Sequence, residues 1–303
     1  MLRLGLCCKF EEQPIKFRTT TVKSTAKLSH DARVQKLATL CRENADALQK
    51  AIEACHENRI GCFRVNSQIL PLKTHDVCGY RLEGLPGGQE IVDAFCAAKQ
   101  LANKLGIRLS FHPDQFVVLN SPRDEVVESS IAELEYQSEV AEWIGADVVN
   151  IHGGGAYGDK AAALERFARN LDRLSPRVRE RLTVENDDKI YSPEELLPLC
   201  TSQSVPLVYD VHHHRCLTDA LSVEEATERA IATWNREPMF HVSSPKEGWS
   251  GPQPNRHHDY INLRDFPKSW DSLEITVEVE AKAKELAVTK LQRSLARRGA
   301  NVA

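Results

Sequence analysis

The sequence lacks the features that mark a membrane or secreted protein. Its first residues form no sustained apolar segment, and no apolar run approaches the ~20 residues that a bilayer-spanning helix needs. The nine cysteines are an odd number without any C-x-x-C pair, which argues against a disulfide framework or a zinc finger. We therefore expect a cytoplasmic protein with reduced thiols, no signal peptide and no membrane segment.

A strong excess of one charge is also missing. The formal net charge is −4 at pH 7, so nothing global indicates nucleic-acid binding, although a local basic patch would suffice. One basic cluster lies in a long loop near the start and contains Lys9, Lys16, Arg18, Lys23 and Lys27. A second contains Lys290, Arg293, Arg297 and Arg298, in a basic C-terminal helix or tail over about residues 287–303. We interpret this second cluster as a solvated face.

Eight short β-rich runs alternate with longer amphipathic stretches. Most of the runs are apolar on both faces, as the strands of a buried parallel sheet are. They are residues 2–6, 60–65, 107–111, 147–151, 182–185, 205–210, 239–242 and 275–280. This alternation predicts an α/β fold of the closed (β/α)8 TIM-barrel type.

No Gly/Ser linker or low-complexity segment divides the 303 residues, and barrels of this type run to ~250 residues and more. We therefore expect a single domain over residues 1–303. The segments 192–196 and 222–226 are typical of helix starts, with an N-cap serine and an acidic first turn. Long loops are predicted over 7–30 and 66–86, on the carboxyl-terminal face where barrel active sites lie.

Residue types that bind metals recur where the predicted strands end. The strand ends contribute His112, His152, Glu185, Asp210, His213, His241 and Glu280, and the loop before the last strand adds His257. In a closed barrel these ends converge on one mouth, where burying so many ionisable groups is costly unless something satisfies them. The set exceeds one tetrahedral site and mixes imidazole with carboxylate, which predicts two or three divalent ions, manganese or zinc rather than calcium.

Clustered metals are suited to phosphodiester cleavage, because one ion activates water while others stabilise the attacking and leaving oxygens. No Ser or Cys nucleophile with a catalytic triad is visible. The glycines of residues 153–158 have the wrong spacing for a Walker loop and fit either a backbone approach to phosphate or a tight turn. Lys160, just beyond them, is either a phosphate contact or a solvated first-turn residue. In the first case it joins Glu185 among the candidate catalytic residues.

An ordered set of motifs resembles the UV damage endonucleases. The motifs are HPDQF, IHGGGAYGDK, VENDD, YDVHHH, FHVSS, RHHDY and VEAKAKE, and FRVNSQILP resembles that family's strand-2 motif. The likeness runs from residue 2 to about residue 286. It implies kinship with endonuclease IV, an abasic-site enzyme, and more distantly with xylose isomerase-like proteins. It also implies a nick in damaged double-stranded DNA immediately 5′ to a UV photoproduct, leaving a 3′-hydroxyl. We expect the enzyme to be a monomer.

The resemblance implies a division of the metal ligands into three sets. The sets are His112, His152 and Glu185; then Glu185, Asp210, His241 and Glu280, with Glu185 bridging; then His213 and His257. The remaining candidate site residues, Arg64, Lys9 and Lys16, are predicted DNA contacts.

Gln115 and Phe116 match the pair that probes the strand opposite the lesion and fills the gap left by a flipped dinucleotide. The alternative for Phe116 is a buried core aromatic under the loop. Three positions depart from the family pattern. Phe116 replaces the usual Tyr, Leu6 stands where some members carry a second probing Tyr, and Met239 stands where some have a Lys that can be carboxylated. These departures bear on lesion range more than on the metal ligands.

Three other functions remain open at this point. An abasic-site endonuclease of the endonuclease IV type would share the metals but lack the HPDQF pair. A sugar or hydroxy-acid isomerase on the same barrel typically needs fewer metals and no basic rim. A non-enzymatic binding module would not need seven ligands at one mouth.

Overall fold

Eight parallel strands form a closed barrel at the centre of the protein, in a computed structural model that describes residues 1–302. Each strand pairs with the next along the chain, and β8 closes the barrel by pairing with β1. The strands are β1 Arg3–Cys7, β2 Cys62–Val65, β3 Arg108–Phe111, β4 Val148–His152, β5 Leu182–Glu185, β6 Leu207–Asp210, β7 Met239–Val242 and β8 Thr276–Val279. The predicted (β/α)8 barrel is confirmed.

Helices follow the strands and cover the outside of the barrel. They are α1 Val22–Thr25, α2 His30–Glu57, α3 Gly88–Leu105, α4 Asp124–Ile144, α5 Lys160–Leu171, α6 Pro176–Arg179, α7 Pro193–Gln203, α8 Val211–Cys216, α9 Val223–Ala232 and α10 Lys284–Arg298. Ser192 and Ser222 begin α7 and α9, each in a capping box with a glutamate three residues later, as the acidic first turns predicted. No helix of the described residues is long and apolar enough to cross a membrane.

One contiguous hydrophobic cluster runs from Leu2 to Leu295 and joins the barrel interior to the inner faces of the helices. Helix α10 belongs to it through Leu291 and Leu295, which are buried. The interpretation of the basic C-terminal cluster as a solvated face is wrong for one member. Arg298 is largely buried, forms an ion pair with Asp271 and donates to backbone carbonyls, so it fastens the helix to the barrel.

The strand register determines which residues lie side by side at the mouth of the barrel. His152, the last residue of β4, lies beside Glu185, the last residue of β5, and Asp210 of β6 lies beside His241 of β7. Parallel strands that end together therefore place imidazole next to carboxylate twice. The loop over 7–30, predicted without regular structure, contains the short helix α1.

A candidate metal centre at the barrel mouth

Glu185 is the residue on which the predicted ligands converge. Its carboxylate is buried, and its Oε2 lies 2.9 Å from His112 Nε2 and 2.5 Å from the amide nitrogen of Asn150. Its Oε1 lies 3.0 Å from His241 Nδ1 and 3.4 Å from His213 Nδ1. Three of the histidines found from the sequence thus meet on one carboxylate.

Two groups of side chains are close enough to hold metal ions. One is His112, His152 and Glu185, and the other is Glu185, Asp210 and His213, each with ligand atoms within 4.8 Å of one another. The first group has the membership that the resemblance implied, and Glu185 is common to both. The second shares Glu185 and Asp210 with the implied second set and adds His213, which the resemblance placed with His257.

His257 and Glu280 lie at the edge of this cluster. His257 Nδ1 is 3.7 Å from Glu280 Oε2, and its ring centre is 6.4 Å from that of His213. Glu280 Oε1 lies 3.6 Å from His241 Nδ1. Side-chain burial is lower here, with His257 28% exposed, so this edge of the cluster is the one open to solvent.

Two ligand atoms of the cluster are buried without a hydrogen-bond partner. They are Asp210 Oδ2 and His152 Nδ1. The other oxygen of Asp210 accepts from the backbone N–H of His213 at 2.8 Å and caps helix α8, so only Oδ2 is left over. A buried polar atom without a partner costs about 1–3 kcal/mol. Divalent ions would take up these free lone pairs, so the donor set fits the metal centre that the sequence predicted.

Neighbouring charges shift the pKa values of the ionisable groups in this cluster. Burial alone would raise the pKa of Glu185, but the surrounding imidazoles, His241 foremost, hold it well below its usual range. Burial would lower the pKa of His241, yet Glu185 raises it to about 10. Burial also lowers the pKa of His213, but Asp210 and Glu185 together raise it well above the ordinary value. The carboxylate and the imidazoles therefore stabilise each other's charged forms.

Arg64 does not occupy the position predicted for a DNA contact. Its guanidinium lies inside the barrel, 10% exposed, with Nη1 2.7 Å from Glu280 Oε1 and Nε 2.5 Å from Glu278 Oε2. The physical reason is its place in β2, where a parallel strand directs alternate side chains to the barrel interior. A guanidinium engaged by two carboxylates there is not available to a duplex.

Glu278 is a site residue that sequence reasoning missed. It is buried, it accepts hydrogen bonds from Arg64 and from the Ser110 hydroxyl, and its Oε2 lies 3.0 Å from His241 Nε2. Burial would raise the pKa of this carboxyl, but Arg64 and His241 lower it to about 2. The signal for it was present in VEVE, because strand alternation sends Glu278 and Glu280 to the same face.

Lys160 stands apart from the cluster. It is the first residue of α5, it is 45% exposed, and its ammonium donates to Glu195 Oε1 at 2.6 Å. It also lies 5.7 Å from the centre of the Tyr191 ring. This geometry favours the solvated first-turn alternative over a catalytic role.

A cleft of about 590 Å³ opens beside the metal-binding groups. His152 and His213 line its inner end, and Gln115, Phe116 and Tyr157 line its outer part. Phe116 is 76% exposed, so the alternative of a buried core aromatic is wrong. The ring is free to contact another molecule at the rim of the cleft.

The remaining predicted positions divide between surface and core. Lys9 and Lys16 are exposed on the loop after β1, as a phosphate contact requires. Leu6 is fully buried in the core and presents nothing to a substrate. Met239 is buried against Cys62 and Val148 below the mouth, where it fills apolar space.

Comparisons with known proteins identify the family and the fold of this chain. The model of the family described as UV-endonuclease UvdE matches residues 2–302. The chain is 35% identical over 303 residues to a UV DNA damage endonuclease of Bacillus velezensis, covering 95% of this chain and 91% of that one. The crystal structure of SacUVDE superposes with a TM-score of 0.87 at 28% identity, covering 99% of this chain and 100% of that one. Endonuclease IV from Thermus thermophilus shares the fold, with a TM-score of 0.63 at 17% identity over 98% of this chain and 99% of that one.

Proposed function

This chain belongs to the UV-endonuclease UvdE family, and we propose on that premise that it nicks damaged double-stranded DNA immediately 5′ to a UV photoproduct. The observation that carries the proposal is the pair of ligand groups joined at Glu185, with Asp210 Oδ2 and His152 Nδ1 buried without hydrogen-bond partners. A phosphodiester is cleaved by water attack, and this centre is built to assist it.

The residues at the mouth of the barrel would have different roles in such a hydrolysis. When bound, two or three divalent ions, manganese or zinc, would supply activated water and stabilise the negative charge that builds up on the phosphate. Glu185 would hold two of the ligand groups at a fixed separation, since each of its oxygens faces different histidines. His213 and His241 would release their protons as the ions bind.

The rim of the cleft supports binding of a distorted duplex. Gln115 carries amide groups that can hydrogen-bond the bases left unpaired opposite a lesion. The exposed ring of Phe116 can stack where the flipped bases stood, which is worth ~1–3 kcal/mol per base. Phenylalanine retains the π-face of the usual tyrosine and loses only its hydroxyl. Lys9 and Lys16 would contact phosphates from the loop after β1.

We further propose that the protein is one domain that acts as a monomer. All ligands of the centre come from a single chain, and one hydrophobic cluster supports them. No second copy is needed to complete the site.

A nicking assay on three matched duplexes tests the proposed function. One duplex carries a single UV photoproduct, one a single abasic site and one no damage. We expect metal-loaded protein to cut the first immediately 5′ to the lesion, leaving a 3′-hydroxyl, and to spare the undamaged duplex. Glu185→Gln, purified in parallel, controls for contaminating nucleases. Cleavage of the abasic duplex alone would favour the endonuclease IV type, and no cleavage of any duplex would contradict both.

A further inference from the structure

Tyr157 is a second exposed aromatic residue in the cleft beside the metal-binding groups. Five large apolar side chains are exposed in residues 1–302, and two of them, Phe116 and Tyr157, line this cleft. Phe116 lies on the loop after β3, and Tyr157 lies on the loop after β4, five residues beyond His152. Neighbouring strands therefore send two exposed aromatic rings to one cleft.

The backbone of Tyr157 has a conformation that tyrosine rarely adopts. Its φ is 51°, in the left-handed region where a bulky side chain is an outlier. Such a conformation persists only where the surrounding structure enforces it, and examples cluster at sites that bind ligands. The hydrophobic core does not explain it here, because 47% of the residue remains exposed.

The loop that carries Tyr157 is held from within by Asn120. Asn120 Nδ2 donates to the carbonyl oxygens of Gly153 and Gly155, both at 2.8 Å. A Cβ on Gly154 would collide with the side-chain oxygen of Asn120. A Cβ on Gly155 would lie 3.0 Å from the Tyr157 ring. These glycines therefore permit a tightly packed turn on which the ring rests.

Arg166 fixes the ring further. Its guanidinium carbon lies 5.8 Å from the centre of the Tyr157 ring, within the ~6 Å of a cation–π contact. Arg166 Nε also donates to the carbonyl oxygen of Asn120 at 3.0 Å, so one residue anchors both the loop and the cation. A ring that is already fixed loses little conformational freedom when a ligand stacks on it.

The charges around the cleft suit a nucleic-acid strand. Arg123 and Lys189 line it with side chains that are each 70% exposed. The carboxylates that line it are already engaged. Asp187 accepts from backbone N–H groups of its own loop, and Asp188 Oδ2 accepts from Asn255 Nδ2 at 2.7 Å and lies 3.9 Å from Lys189 Nζ. Exposed cations can pair with phosphates while an aromatic ring stacks on a base.

We propose that Tyr157 is a binding residue that stacks on a displaced base of the damaged strand. The inference rests on the proposed function and deepens it by assigning the ring that holds the lesion side of the substrate. A nick immediately 5′ to the lesion requires the scissile phosphate at the metal-binding groups. The bases next to that phosphate belong to the lesion, and the cleft that His152 and His213 line is beside them.

The two aromatic residues of the cleft have different geometries for different roles. Phe116 is 76% exposed and projects from the rim, as insertion into a duplex requires. Tyr157 packs one part of its ring against Gly155 and leaves the rest open, as stacking on a base within the cleft requires.

Two substitutions of Tyr157 separate the ring from the hydroxyl. Tyr157→Asn removes the ring at little cost to the backbone, because asparagine tolerates the left-handed region. Tyr157→Phe keeps the ring and removes only the hydroxyl. Stacking depends on the ring, whereas a contact between the side chain and a phosphate depends on the hydroxyl.

Binding is measured with metal-loaded protein and a duplex that carries one UV photoproduct. A methylphosphonate linkage immediately 5′ to the photoproduct blocks cleavage. We expect Tyr157→Asn to weaken binding about tenfold and Tyr157→Phe to retain the affinity of the wild type. The loss should be specific to the damaged duplex, with the melting temperature and metal content of Tyr157→Asn unchanged. Wild-type affinity of Tyr157→Asn, an equal loss in Tyr157→Phe, or an equal loss on undamaged duplex would overturn the inference.

A photochemical crosslink decides the matter even if Tyr157→Asn does not fold. Two mismatched 5-iodouracil bases replace the photoproduct in the same duplex, and long-wavelength irradiation joins them to an aromatic side chain in contact. We expect wild-type protein to crosslink at Tyr157, and crosslinks confined to other residues would overturn the inference. A wild type that crosslinks at Tyr157 but does not nick photoproduct DNA supports this inference while contradicting the proposed function. A wild type that nicks such DNA without a crosslink at Tyr157 contradicts this inference alone.

Discussion

The two ends of the barrel both carry charged side chains, but they use them differently. At the base, where the strands begin, Arg108 Nε donates to Asp147 at 3.0 Å and Arg3 Nε donates to Glu237 at 3.0 Å. Thr276 adds its hydroxyl to both networks. At the mouth, by contrast, Asp210 Oδ2 has no hydrogen-bond partner in the described part of the chain and lies 3.6 Å from His213 Nδ1. What distinguishes a site here is unused coordination capacity rather than charge.

The chemistry of the partners explains the difference. A guanidinium carries five donors and no acceptor, so an arginine beside a carboxylate consumes lone pairs and adds none. An imidazole supplies a lone pair once it loses its proton. The mouth therefore holds lone pairs that protons or metals can share, while the carboxylates Asp147 and Glu237 of the base accept hydrogen bonds from arginines.

The largest effect is expected from Glu185→Gln. The amide keeps the shape of the side chain but cannot bridge two cations, so metal content should fall and nicking of UV-damaged duplex should drop on the order of 10³-fold. Thermal unfolding and circular dichroism check that the barrel persists. A variant with normal activity and metal content would show that this carboxylate has no bridging role.

Proton competition at the mouth is expected to have the next largest effect. Glu185 raises the pKa of His241 to about 10 against the opposing effect of burial, and the pKa of His213 is also raised. Each imidazole must lose a proton before it can offer a lone pair to a cation. Apparent metal affinity should therefore rise with pH, roughly tenfold per pH unit for each proton released.

Calorimetry in buffers of different ionisation enthalpy counts the protons released as the metal binds. Between about pH 6 and 8 we expect a net release. Affinity that is independent of pH, with no proton release, would mean that the imidazoles do not coordinate the ion.

The rim of the cleft is expected to contribute to the binding of UV-damaged duplex without contacting the metal ions. Phe116 is exposed and carries no ligand atom, so Phe116→Ala should weaken binding to UV-damaged duplex by about one order of magnitude. Phe116→Tyr, which keeps the ring, serves as the matched control and should bind normally. Metal content and melting temperature should match the wild type in both. A loss of stability or of metal in Phe116→Ala would contradict a purely surface role.

The smallest functional effect is expected at the base. Arg108→Met removes a guanidinium that is 10% exposed and leaves Asp147, which is 39% exposed, with a weaker partner in Arg236. We expect a loss of about 1–3 kcal/mol in the free energy of unfolding. Denaturant titration measures it, and elemental analysis should find metal content unchanged. Loss of metal in this variant would show that the two ends are coupled.

The fold was predictable because its signal is local. Apolar runs bounded β5 and β7 at the residues where those strands begin and end, and the serines before α7 and α9 marked helix starts. The candidate metal ligands also followed from strand ends, since a closed barrel must bring those ends together. Both inferences need only the pattern of apolar residues along the chain and the order of the strands in the sheet.

Partner choice inside the mouth was not predictable in the same way. Arg64 was predicted to contact DNA, yet its guanidinium forms ion pairs with Glu278 of β8 and with Glu280 just after it. His213 joins Asp210 because α8 begins directly after β6 and folds the histidine back over its cap. Such pairings depend on side-chain direction across the barrel, which spacing along the chain does not contain.

The most direct test of the metal centre is the metal content of the purified wild-type protein together with the activity it restores. Elemental analysis should find two or three equivalents of divalent metal per chain. Chelation should abolish nicking of UV-damaged duplex, and manganese or zinc should restore it. A chelated protein that is verified to be metal-free and still nicks such DNA at the wild-type rate would contradict the account.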